Sequence, residues 1–160
     1  ITFSPNENIL INSSTFLGTD DPDSVRRYRY FHNLYAVWKC HPKVQLTAGF
    51  DFGFQQSEKS SDNYYSWHSA VLIAGYQLTE AASVNLRGEY YYDPNNVIAG
   101  TGGNVFNVLS YSANFDYRIN DYALWRIEFR SFYSEENIYS PISNPGRTAF
   151  ALCGSICVSI

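Results

Sequence analysis

The amino-acid sequence predicts an all-β chain, an antiparallel up-and-down transmembrane β-barrel contributing eight strands. Three observations carry this expectation. Apolar and aromatic residues alternate with polar and charged ones through most of the length; Gly-, Pro-, Asn-, Asp- and Ser-rich breaks separate the alternating runs; and those breaks are alternately short and long. Successive side chains of an extended strand point to opposite faces, so each run has one greasy and one wet side. No helical segment is left to cover the greasy sides, and a closed barrel with lipid outside and a polar interior satisfies both. The longest apolar runs, Leu34 to Trp38 and Ala70 to Tyr76, are far shorter than the roughly 20 residues of a membrane helix.

Each element follows in order. Ile1-Thr2-Phe3 before Ser-Pro-Asn-Glu reads as the end of a strand entering a short turn, the alternative being a frayed tail. On the first reading the chain starts inside a hairpin, and the single barrel domain, residues 1–160, is the C-terminal portion of a larger barrel. A first full strand is expected near residues 8–17, with unclear parity. The second, 25–40, sets Arg27, Arg29 and Asn33 inward against Tyr28, Tyr30, Leu34, Ala36 and Trp38. The third, 43–56, is cleanest, with Val44, Leu46, Ala48, Phe50, Phe52 and Phe54 outward and Asp51 inward. The fourth, 66–78, is ambiguous because Val71 and Ile73 compete with Leu72 and Tyr76 for the apolar face. The fifth, 82–93, turns Arg87 and Glu89 inward and Tyr90 and Tyr92 outward. The sixth, 104–119, turns Asp116 and Arg118 inward and Tyr117 outward; the seventh, 122–133, Arg126, Glu128 and Arg130 inward and Trp125 outward. The eighth, 148–160, carries Phe150, Leu152, Ile156, Val158 and Ile160 outward over small inward residues.

Short turns fall at 41–43, 79–81 and 120–121, and longer polar loops at 19–24, 57–65, 94–103 and 134–147. Short turns at one rim and long loops at the other describe an outer-membrane barrel with its short turns periplasmic. The amphipathic aromatics form two belts: Trp38, Tyr76, Tyr117 and Trp125 near the short turns, Tyr28, Tyr30, Tyr90 and Tyr92 near the long loops. Lipid–water interfaces select such belts, and the 18% aromatic content fits them. A β-sandwich core would also bury aromatics, but it leaves the two belts unexplained. The net charge of −4, without basic or acidic blocks, gives no sign of nucleic acid as a partner.

Several stretches together resemble the C-terminal part of the OmpL-like β-barrel porin family of Gram-negative outer membranes. They are 12–24 leading into Arg29-Tyr-Phe-His-Asn-Leu-Tyr35, then Leu46-Thr-Ala-Gly-Phe50, Leu86-Arg-Gly-Glu-Tyr-Tyr91 and Ala123-Leu-Trp-Arg-Ile-Glu128. The resemblance covers nearly the whole chain, and its motifs are those of a barrel wall. It implies an outer-membrane porin with more strands than this segment holds, passing small polar solutes or ions, in contact with lipid, with no turnover and no cofactor.

The inward ionic residues are then the candidate lumen lining: Arg27, Arg29, Asp51, Arg87, Glu89, Asp116, Arg118, Arg126, Glu128 and Arg130. Arginine outnumbers acid in this set, which favours anions weakly. A complete barrel of about eight strands would instead be filled by its own side chains, giving a small closed barrel with a structural, adhesion or binding role. Cys153 and Cys157 share an inward face roughly 13 Å apart, beyond disulfide reach, and Cys40 beside His41 offers too few ligands for a metal. His68 with Asp62 resembles a catalytic dyad only in composition, and no catalytic residue is expected. Tyr64, Tyr65 and Trp67 read either as outer-girdle residues or as a ligand platform at a long loop. The oligomeric state is left open.

Overall fold

In the computed structural model, residues 1–100, 105–139 and 146–159 are described. They contain nine strands: β1 Thr2–Asn6, β2 Ile9–Gly18, β3 Arg29–His41, β4 Val44–Gln56, β5 Tyr64–Gln77, β6 Ala82–Asp93, β7 Phe106–Asn120, β8 Ala123–Ser134 and β9 Thr148–Val158. All pair antiparallel with their sequence neighbours in one sheet of order β1 to β9. Among the described residues β1 and β9 do not meet, so the sheet is an open segment of barrel wall.

The count of nine exceeds the eight full strands expected by the strand end already read at Ile1-Thr2-Phe3. The additional strand is the N-terminal stretch itself, with Thr2 paired to Asn12 and Phe3 to Ile11. Pro5 lies where the register shifts between Phe3 and Asn6, which is where a residue without an N–H is tolerated in a ladder. One correction concerns residues 25–28. The strand expected there begins only at Arg29, because the Pro22 carbonyl accepts the Val25 N–H in a turn and Arg27 folds back onto Asp21. In the other direction, β5 starts at Tyr64, which pairs with Gln56, so the loop after β4 is shorter than 57–65. The expected start of the sixth strand at 104 and the outward Ile160 lie outside the described residues.

The four short turns share one device. The side chains of Asn6, His41 and Asn120 each accept the N–H two residues on, from Asn8, Lys43 and Tyr122. Thr79 Oγ1 accepts the N–H of Ala81 and also of Ala82. Such a side chain replaces a backbone acceptor and closes a tight reversal locally.

Pairing settles the parity of the ambiguous strand. Val71 pairs with Gly49 and Glu89, and Ile73 with Thr47 and Arg87, so both belong to the polar face. Leu72 and Tyr76 take the other face and are exposed. Apart from Tyr65, which has the inner parity at the long-loop rim, the exposed large apolar side chains on the strands follow this second parity through β3–β9, including Leu34, Phe50, Leu86, Tyr111, Phe129 and Leu152. They make the outer face. The sheet curls towards the polar face: one cavity there touches Phe16 of β2 and Tyr91 of β6, strands about 19 Å apart in a flat sheet.

Candidate functional site: the inner face of the wall

The inner face is built rung by rung from the inward parity. On β6–β8 the rungs run Ser83–Asp116–Arg126, then Asn85–Asn114–Glu128, then Arg87–Ser112–Arg130. Arg126 grips Asp116 with two bonds, Nε to Oδ1 at 2.6 Å and Nη2 to Oδ2 at 2.7 Å. Arg130 reaches Glu128 at 2.8 Å and Arg87 reaches Glu89 at 2.6 Å. The last two pairs link residues two apart on one strand, which share a face and stand about 7 Å apart along it. Glu89 also accepts a bond from Ser110, while Nε of Arg87 is buried with no hydrogen-bond partner among the described residues.

The β3–β5 wall is made differently. Asp51 sits on the rung Ser14–Asn33–Asp51–Ser69. It accepts hydrogen bonds from Asn33 Nδ2 and Ser69 Oγ, both neutral donors. One rung nearer the long loops, Trp67 lies across Gly53, where a Cβ would overlap the indole ring. Arg29 stacks over that ring at 5.7 Å and bonds Gln55 and Asp20.

The sequence-predicted lumen residues therefore fall into three groups. Asp51, Arg87, Glu89, Asp116, Arg126, Glu128 and Arg130 stand on the inner face within the strands. Arg29 and Arg118 stand on it at the rims, Arg118 donating to the Glu80 carbonyl at the short-turn end. Arg27 precedes β3 and is bound to Asp21 in the loop, Nε to Oδ2 at 2.8 Å. The Arg27 guanidinium beside Asp21 holds its carboxyl below the usual 3.8, and Asp21 in turn raises Arg27. The excess of six arginines over four carboxylates read from sequence is offset by acids outside that set, since Arg27 pairs with Asp21 and Arg29 with Asp20.

Of the girdle residues, Trp38, Tyr76, Tyr117 and Trp125 are exposed on the outer face towards the short turns. Tyr28, Tyr30 and Tyr90 are exposed towards the long loops, with Tyr92 half-buried. Trp67 does not join them. It points inward and is 4% exposed, which overturns both the girdle and the platform reading of that residue; the missing side chain at Gly53 is what admits it. His68 points outward and contacts the rings of Phe50, Tyr90 and Tyr92, an aromatic cluster on the outer face. Cys153 and Cys157 lie on the inner parity opposite Glu128 and Leu124, and all three cysteines are free. Sequence reasoning missed the inner aromatics Phe16, Phe31, Tyr91, Phe106 and Phe132, although each stands at an even offset from an inward polar residue.

An antiparallel meander with a lipid-type outer face and an ionic inner face defines the wall of a porin-like transmembrane β-barrel. The chain belongs to the family described as "Putative beta-barrel porin-2, OmpL-like", which it matches over residues 1–160. That family implies an outer-membrane location and is generally non-enzymatic. A search of curated proteins returns no match.

Proposed function

We propose that this chain is part of the wall of a bacterial outer-membrane pore through which small polar solutes or ions diffuse passively. Lipid contacts its outer face, and its inward Asp, Glu and Arg residues line water and tune selectivity. One observation carries the reading: among the described residues the inner ionic side chains are paired along the wall and remain 11–44% exposed on the polar face. A wall that balances its own charges tolerates water in front of it. No cofactor takes part in diffusion through such a pore.

The test is reconstitution of the detergent-purified protein into planar bilayers. Stepwise conductance is expected, and replacing Arg87 or Arg126 by Glu shifts the reversal potential in a salt gradient towards cation preference. A correctly folded protein without conductance would instead establish a closed barrel with a structural, adhesion or binding role.

A further inference from the structure

The inner face carries a second, unpredicted feature: an aromatic band just inside the long-loop rim. Phe16 pairs with Phe31, Phe31 with Gly53, and Gly53 with Trp67, so these residues share one rung across β2–β5. Asp93 pairs with Phe106 one residue beyond the Tyr92–His68 pair, which continues the band at the same level across β6 and β7. Tyr91 stands one rung below, edge-on to Phe106 at 5.5 Å between centroids. Trp67 is buried under Arg29, but Phe16 is 40% exposed and Phe31, Tyr91 and Phe106 are half-buried, so they present ring surface to the interior.

Aromatic surface at this position is not explained by the lipid interfaces, which lie on the other side of the sheet. Nor is it simply sealed by loop packing. The carboxylate of Asp93, 0% exposed, accepts the N–H groups of Val97, Ile98 and Ala99 at 2.9, 2.7 and 3.1 Å. Three bonds to one buried acceptor turn the described part of the loop after β6 over the inner face. Ile98 then borders two cavities at once, of about 350 and 680 Å³, and is itself 48% exposed. The smaller cavity has Phe16, Phe31 and Tyr91 on its walls together with Asp51 and Ser69. The larger has Tyr91, Phe106 and Phe132 together with Glu89 and Arg130.

We propose that this collar, narrowed by the loop that Asp93 holds, is a solute-binding constriction for sugar rings. A pyranose has a flat face of C–H bonds and a rim of hydroxyls. The face stacks on an aromatic ring, whose π-surface is electron-rich, and the rim bonds to carboxylate and guanidinium groups one rung away. Compact inorganic ions gain nothing from the rings, and Glu89 and Arg130 are already paired with Arg87 and Glu128. A wholly apolar solute would strip water from the remaining polar surface of Asp51, Glu89 and Arg130 without replacing it. Sites of this kind, apolar walls with a few placed polar groups, fix orientation as well as affinity. The inference rests on the pore reading above and adds the class of solute.

The experiment compares current block in planar bilayers by a cyclic hexose or its disaccharide with block by the open-chain hexitol, which has the same six carbons, a sixth hydroxyl in place of the ring oxygen, and no flat face. The ring sugar is expected to block and the hexitol to block much less. Phe31→Leu and Tyr91→Leu keep apolar bulk but remove the flat surface, and each is expected to weaken block by about three- to tenfold, with folding confirmed by heat-modifiable gel mobility. Asp93→Asn, which keeps the volume but weakens the hold on the loop, raises conductance and lowers the preference for rings. Equal block by sugar and hexitol, or block unchanged in both leucine variants, overturns this inference and leaves the pore intact. A folded protein that never conducts overturns the pore reading and this inference together.

Discussion

The β6–β8 and β3–β5 walls present the same face of the same sheet, yet they handle charge in opposite ways. On β6–β8 each carboxylate at the centre of the strands has an arginine partner: Asp116 with Arg126, Glu128 with Arg130 and Glu89 with Arg87. On β3–β5 the central carboxylate, Asp51, is held by an amide and a hydroxyl. The first wall is locally neutral and tied together by electrostatics. The second retains an uncompensated negative charge and is tied together by shape, with Trp67 lying in the space that Gly53 leaves. One wall is therefore sensitive to removal of charge and the other to addition of volume.

That contrast is broken most severely at Gly53. Gly53→Ala places a methyl in the Trp67 ring and is expected to destabilise the folded protein by about 3 kcal/mol, since overpacked positions must shift side chain or backbone. Urea unfolding in lipid vesicles, followed by tryptophan emission, measures it. Trp67→Leu should recover most of the loss in the double variant, and independent effects would refute the contact.

Next in size is the difference between the two carboxylates. Asp116→Ala leaves Arg126 without its bidentate partner and is expected to cost about 2 kcal/mol. This is less than a fully buried pair would, because the Arg126 side chain is 44% exposed and water takes up part of its charge. Asp51→Asn removes a charge whose donors also serve an amide oxygen, so its cost is expected below about 1 kcal/mol. Selectivity ranks them together, since each removes one negative charge from the inner face and shifts the reversal potential towards anions. Equal loss of stability in the two variants would erase the distinction between the walls.

The smallest effect lies outside both walls, at the Asp21–Arg27 pair in the loop before β3. Arg27 lowers the pKa of Asp21 below 3.8, so the folded loop prefers the ionised carboxylate. The linked stability is fully present above the ordinary carboxylate pKa and is lost as pH falls through the depressed folded value. Proteolysis confined to residues 19–28 should accelerate below about pH 4, and Arg27→Gln should remove that acid dependence. An unchanged acid profile in Arg27→Gln would show that the pair does not hold the loop.

Most of the architecture was legible because strand parity is a local property. A period of two assigns a face to every residue without knowledge of its neighbours, so Asp51, Arg87, Glu89 and Arg126 could be turned inward from the sequence alone. Turns were equally legible, since Asn6, His41-Pro42, Thr79 and Asn120 close their reversals with atoms only two or three residues away. Parity failed where both faces were apolar, at Val71 and Ile73, and pairing with Gly49 and Thr47 resolved it. It also misled where aromatic character was equated with lipid: Trp67 has inward parity, and only the gap at Gly53 on the adjacent strand makes room for it.

By itself, then, the sequence determined the all-β class, the up-and-down order, the long-loop and short-turn rims and the face of nearly every clean strand. Each of these depends on contacts between residues adjacent or two apart in the chain. Tertiary structure alone decided which carboxylate each arginine neutralises, that Asp51 is held by the neutral donors Asn33 and Ser69, and that Phe16, Phe31, Trp67 and Phe106 stand in one band beneath a loop held by Asp93. Those outcomes depend on register between strands, and register is set by the pairing of whole strands, which no local pattern of residues contains.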